Sequence, residues 1–207
     1  MITKRIVLYI LLIVLLLVPL SGAAQEDAMP QEEEEEVGPR SSYSLGDQMF
    51  SLNAGIFVPL FFFGGETASR TNLSIGGAGS LEWSAFLNSH LSLGGELAGC
   101  FSFSPLGRTL AIIPVTVKLS YFFFPYPFEI PIFLGGGVNF VTLEDSVYIG
   151  PILKPGMSFY WNINGTWAAG INLVYWFSPQ WYTKQELVSQ SRYGNFLEIT
   201  LSALYHF

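Results

Sequence analysis

The stretch Asn195-Phe196-Leu197-Glu198-Ile199-Thr200-Leu201-Ser202-Ala203-Leu204-Tyr205-His206-Phe207 decides the fold. Leu197, Ile199, Leu201, Ala203, Tyr205 and Phe207 form one wholly apolar face. Phe196, Glu198, Thr200, Ser202, Leu204 and His206 form the other, which is mostly polar. A period of two over this length specifies a β-strand with two different environments on its faces. The run stops on an aromatic residue in the middle of the strand pattern.

Working outward, the same alternation recurs along the chain. Phe50, Leu52, Ala54, Ile56, Val58 and Leu60 oppose Ser51, Asn53 and Gly55 over about 49–61; Ile75, Leu81 and Trp83 oppose Ser80, Glu82 and Ser84 over about 73–87. Further strands are predicted over about 91–103, 110–123, 130–141, 148–161 and 167–177, and the closing stretch makes the eighth. Pro131, Pro151 and Pro155 remove ladder donors from the fifth and sixth, which therefore need bulges or strand-end positions. Asn162-Ile163-Asn164-Gly165 carries the Asn-Gly chemistry of a tight hairpin.

Half the residues are hydrophobic and only 12% are charged, with 21 Gly and 18 Phe, yet after the amino-terminal run no stretch is long enough for a spanning helix. A soluble domain of this composition would expose too much apolar surface. A barrel in lipid resolves the conflict, because lipid-facing apolar residues alternate with small and polar lumen-facing ones. The fold class is all-β: an eight-stranded antiparallel up-and-down transmembrane β-barrel. The closing strand, with its terminal aromatic, resembles the last strand and assembly signal of bacterial outer-membrane β-barrels, which assigns Tyr205 and Phe207 to that signal. The resemblance implies outer-membrane lipid and the barrel assembly machinery as partners.

The amino terminus agrees with export. Lys4 and Arg5, the apolar run Ile6 to Leu20 and the small residues Ser21-Gly22-Ala23-Ala24 read as a signal peptide, residues 1–24, removed after Ala24. Residues 25–47 follow as an acidic, disordered segment: seven acids lie between Glu26 and Glu36, and almost nothing apolar is present to bury. The barrel domain is residues 48–207. Net charge is −7, and losing Lys4 and Arg5 leaves 7 basic against 16 acidic residues. Cys100 is the only cysteine, so no intramolecular disulfide forms.

An even strand count puts both chain ends of the barrel on the periplasmic side. The turns near Asn88, Pro125 and Asn164 are then short and periplasmic, while Phe62 to Asn72 and Ser178 to Gly194 are longer and external. Outward aromatics gather near both ends, Trp83, Tyr121, Trp161 and Trp167 at one and Phe101, Phe103, Tyr175 and Phe177 at the other, as two girdles.

A function would be read in the lumen. Glu82, Glu96, Lys118, Lys154 and Glu198 face inward, and eight strands enclose a space that side chains can fill. They form either a salt-bridge and water network that plugs the barrel or a charged constriction in a conduit. Glu96 and Lys118, on adjacent strands, are expected to pair, with Glu82 and Lys154 completing the network. Phe57, Phe86, Phe122, Phe133, Tyr160 and Trp176 also point inward, as fillers of the barrel ends or as the lining of an apolar pocket. Ala54-Gly55-Ile56-Phe57-Val58-Pro59, Pro114 to Phe123 and Gly135-Gly136-Gly137-Val138-Asn139 resemble segments of the OmpW-type branch of the OmpA/OmpX/OmpW-like small barrels. That resemblance implies passive uptake of small apolar solutes, leaving sideways through a wall disturbed by Pro59, Pro114 and Pro151.

His90 and His206 both fall at the periplasmic end, where they make neither a catalytic dyad nor a metal site, so no catalytic residue, metal or cofactor is assigned. No basic, aromatic-interleaved patch for nucleic acid is present. The external segment with Trp181, Tyr182, Arg192 and Tyr193 is long and aromatic enough for ligand recognition, which keeps a surface adhesin as an alternative. A monomer in the bacterial outer membrane is the expected state.

Overall fold

The computed structural model describes residues 43–64, 67–105, 107–143, 146–180 and 192–207. The signal peptide and most of the acidic segment lie outside the described residues, as do Trp181 and Tyr182. Nine strands are present among the described residues: β1 (Gln48–Gly64), β2 (Thr67–Arg70), β3 (Gly76–Phe86), β4 (Leu91–Phe103), β5 (Thr109–Phe123), β6 (Phe128–Leu143), β7 (Ser146–Asn162), β8 (Trp167–Gln180) and β9 (Arg192–His206). All pairings are antiparallel. β1 and β3 to β9 each pair with the next, β9 pairs back with β1, and the short β2 extends the outer end of β1. The result is a closed eight-stranded barrel with no free edge along its wall.

The seam is made by the stretch that decided the fold. Met49 faces His206, Asn53 faces Ser202 and Phe57 faces Glu198, and Gln48 and Phe207 exchange both backbone hydrogen bonds at 2.9 and 3.0 Å. Alternation sorts the environments: Leu52, Val117, Ile171 and Leu201 are exposed on the outer wall, while Ser51, Asn53, Thr116, Asn172 and Thr200 are buried inside. Outward rings pair near the rims, Trp167 with Tyr205 and Tyr121 with Phe123 at one end, Phe101 with Phe103 and Phe177 with Tyr193 at the other.

The ladder is steeply staggered. Following partners from Met49 through Ser84, Gly94, Lys118, Gly135 and Lys154, then across to Trp176 in the register set by Leu153 and Phe177, leads to Phe196 and back to β1 at Pro59. One circuit thus climbs ten residues, so side chains that are ladder neighbours differ in depth.

Three local features differ from the sequence reading. Asn164 and Gly165 have no left-handed backbone, so the turn is not the two-residue Asn-Gly type. Instead the Asn164 Oδ1 accepts the N–H groups of Thr166 and Trp167 at 3.0 and 2.7 Å, and Asn88 does the same for His90 and Leu91. The predicted loop from Phe62 is strand up to Gly64, because a bulge between Pro59 and Phe61 lets β1 keep pairing with β9 as far as Tyr193. Likewise Arg192 to Gly194, expected in a loop, belong to β9.

The third difference is at the amino-terminal junction. Tyr43 to Asp47 fall within the segment expected to be disordered, yet Gly46 N–H donates to the Phe86 carbonyl and the Tyr43 ring stacks on Phe86 with centroids 4.1 Å apart. Tyr43 Oη donates to Glu129 Oε1 at 2.6 Å and lies 3.2 Å from His206 Nε2. Glu129, which precedes the strand predicted from about 130, is a buried inward residue of β6, and Asn162 Nδ2 also donates to it at 2.8 Å. Tyr43 thus sits in the barrel mouth beside the Gln48–Phe207 seam.

Candidate functional site

The lumen has three layers. At the end that holds Gln48 and Phe207, Met49, Phe86, Phe122, Tyr160, Ala168 and Leu204 form an apolar cluster packed against Tyr43. In the middle lies a belt of buried polar and charged side chains. Above it a second cluster includes Phe57, Ile112, Phe133, Ile152, Trp176 and Phe196.

The charged belt has a definite pairing. Lys118 Nζ on β5 bonds Glu82 on β3, passing over Gly94 of the intervening strand. Lys154 on β7 bonds Glu96 on β4 at 2.6 Å and lies 3.6 Å from Glu198 on β9. The expected Glu96–Lys118 pair is therefore not made. Stagger is the reason: Lys118 faces Gly94 and Gly135 in the ladder, whereas Glu96 faces Thr116, whose Oγ1 donates to it at 3.1 Å. Both ammonium groups also lie over rings, Lys118 at 3.9 Å from Phe133 and Lys154 at 4.3 Å from Trp176. Trp176 Nε1 donates to Glu198 at 2.7 Å, closing the chain of contacts.

Gly94 and Gly137 permit this crowding. A β-carbon at Gly94 would fall 2.3 Å from that of Ser84, and one at Gly137 only 2.0 Å from the Val115 carbonyl. Neutral groups complete the belt across the lumen, with Asn172 Nδ2 donating to Asn53 Oδ1 at 2.8 Å and Tyr160 Oη donating to Asn172 Oδ1 at 3.0 Å. Just below Lys118 a void of about 10 Å³ remains, room for roughly one water. The buried charges of the belt are tolerable because each has an opposite partner.

Beyond the belt, at the end of the barrel opposite Gln48 and Phe207, the lumen widens into an apolar cup of about 430 Å³. Phe62, Leu73, Leu110, Ile112, Val141 and Phe196 supply its apolar lining. Of the residues singled out as apolar lining, none lines this cup. Phe57 and Trp176 are buried in the cluster beneath it, Phe122, Phe133 and Tyr160 border the small lower void, and Phe86 packs at the far end against Tyr43. Phe62 reaches the cup because the bulge at Leu60 reverses the parity of β1, and Leu73 because it precedes β3 rather than opening it.

The wall around the cup is uneven. Pro114 interrupts the β4–β5 ladder, which resumes at Cys100 and Ile112. Pro155 interrupts β7–β8, and there the ladder ends at Leu153 and Phe177, although β7 continues to Ser146 on its β6 side. Pro59 adjoins the bulge and Pro151 pairs with Val138 without a break. Of the recognition residues within the described structure, Arg192 is at the cup rim and Tyr193 stacks on Phe177 on the outer wall. His90 is held in its turn by Ser89 at 2.8 Å, and His206 faces inward beside Glu129 at 3.7 Å. Among the described residues no cluster of three His, Cys, Asp or Glu could hold a metal.

The chain belongs to an uncharacterised protein family whose model matches residues 30–205. It is 24% identical over 173 residues to an uncharacterized protein of Borreliella burgdorferi, covering 73% of this chain and 79% of that one. In structure it resembles Neisserial surface protein A (TM-score 0.57, 9% identity, 76% of this chain and 97% of that chain). It also resembles a major outer membrane protein of Thermus thermophilus (TM-score 0.50, 16% identity, 77% and 99%). At these identities the likeness is one of fold, the small eight-stranded outer-membrane barrel.

Proposed function

We propose that this family member works in the bacterial outer membrane by taking small apolar molecules into its outward-opening cup, above a lumen closed to axial passage. The observation that carries the reading is the cup itself: an apolar concavity of about 430 Å³, in the size range of small-molecule sites. A purely structural barrel has no need of such a hollow, since the lower half shows that side chains can fill the lumen. The charged plug supports binding or sideways release over a through-channel. The resemblance to OmpW-type barrels favours release into the bilayer, and the end of the β7–β8 ladder at Leu153 and Phe177 is the wall position that suits it.

The test is to titrate toluene into the barrel in lipid nanodiscs and follow methyl resonances. Saturable shifts of Leu110, Ile112 and Val141, absent in Ile112→Trp, are expected. Shifts confined to lipid-facing methyls such as Leu119 and Ile171 would overturn the reading.

A further inference from the structure

Resting on the cup as an apolar binding site, we propose that its ligands are single-chain anionic amphiphiles, with the chain in the cup and the anionic head at Arg192. The cup is not uniformly apolar. Leu73, Leu110, Ile112 and Val141 line it from one side, whereas Ser178 and Gln180 of β8 and Arg192 of β9 line it from the other. Arg192 faces Gln180 in the ladder, so a guanidinium and a carboxamide stand together at the rim.

Arg192 is the charged residue of the lining, and it makes no ion pair or hydrogen bond among the described residues. The charges of the plug do not offset it at the surface of the cup. Glu198 is 1% exposed and Trp176 is fully buried, and the indole of Trp176 is turned to Glu198. Among the described residues, a ligand in the cup therefore meets mostly apolar walls, a few neutral polar groups and one positive charge with no opposite partner.

The route between head and chain is continuous. Arg192, Gly194 and Phe196 follow one another on the inward face of β9, and Gly194 presents no side chain between the other two. A β-carbon there would come within 2.7 Å of the Phe196 ring and 3.3 Å of the Phe62 ring. An alkyl chain can thus pass from the guanidinium over Gly194 to the aromatic floor, with Ser178, whose Oγ already accepts from Asn139 Nδ2, as the polar group beside that path. A carboxylate or sulfate on Arg192 gains charge-assisted hydrogen bonds while staying at the hydrated rim, so it escapes the desolvation that a charge deeper in the cup would incur. A neutral head loses this attraction, and a cationic one is repelled.

Decanoate, decanol and decylammonium, titrated into the full barrel in zwitterionic nanodiscs at a pH that keeps decanoate ionised, separate the possibilities by the methyl shifts of Leu110, Ile112 and Val141. Decanoate should bind about fivefold more tightly than decanol, as suits an exposed ion pair, with decylammonium weakest. Arg192→Gln should erase the preference by weakening decanoate far more than decanol, and Arg192→Lys should retain part of it. Heat-modifiable migration of each variant confirms that the barrel is folded. Equal affinity for decanoate and decanol in the parent, or a preference that survives Arg192→Gln, would overturn the anionic-head proposal while leaving the cup intact. If none of the three moves these methyls, the cup reading falls with it.

Discussion

Lys154 on β7 bonds Glu96 on β4 at 2.6 Å, across the two strands that lie between them. Such a contact has to cross the lumen. Lys154 is fully buried, so its ammonium has no water to return to if the carboxylate is removed. Among the described residues Glu198, 3.6 Å away, is then its one remaining carboxylate. A lone buried charge costs several kcal/mol, whereas the same charge with its partners in place is tolerated.

The pairing predicts which mutations couple. Lys118→Met should destabilise by about 3–5 kcal/mol by stranding Glu82, and adding Glu82→Gln should recover most of the loss. Combining Lys118→Met with Glu96→Gln should recover far less, because Glu96 is held by Lys154 and Thr116. Urea unfolding in lipid measures both double-mutant cycles. Strong coupling of Lys118 to Glu96 with none to Glu82 would show that the pairing is misassigned.

Glycine in the belt should resist substitution. Gly137→Ala places a methyl against the Val115 carbonyl, and the backbone of a closed ladder has little room to move. A loss of about 1–3 kcal/mol in the same unfolding assay is expected, whereas Gly136→Ala, which meets nothing within 4 Å, should be nearly silent. Equal losses would refute the steric argument.

Tyr43 should fasten the periplasmic mouth in two separable ways. Tyr43→Phe keeps the stack on Phe86 but loses the hydroxyl that serves Glu129, at a cost of about 1–2 kcal/mol. Tyr43→Ala removes the stack as well and should cost more. If the two variants unfold at the same urea concentration, the ring contributes nothing.

Orientation is checked with single cysteines in a Cys100→Ala background. Pro105→Cys lies in the turn between β4 and β5, and Ile163→Cys in the turn between β7 and β8 at the opposite end. An impermeant maleimide should label the first on intact cells and the second only after the outer membrane is broken. The reverse pattern would invert the topology and turn the cup toward the periplasm.

Much of this is legible in the sequence because a barrel wall separates two environments at every second residue. Alternation alone assigns Glu198, Ser202 and Asn172 inward and Leu201, Trp167 and Ile171 outward, and the structure places them so. Partner choice is not legible, since it depends on the stagger of the ladder. Adjacent strands suggest Glu96 for Lys118, but the side chain passes over Gly94 to reach Glu82.

The cup is hidden for a different reason. Leu110, Ile112 and Val141 carry no charge to set them apart from other alternating residues, and Phe62 falls in an expected loop. Only the bulge at Leu60, which has no mark in the sequence beyond the neighbouring Pro59, turns Phe62 inward. Tyr43 escapes notice because the acidic run from Glu26 to Glu36 sets the reading of the whole segment and outweighs a single aromatic residue five positions before β1.

Ion conductance across a planar bilayer tests the central claim most directly, that solutes enter the cup and go no further along the barrel axis. Purified parent barrel should give no discrete steps, and Lys154→Ala with Glu96→Ala, which removes the crossing contact, should give small ones. Stable ohmic steps from the parent, changed only in ion selectivity by the double substitution, would contradict the plug and make the charged belt the constriction of an open conduit.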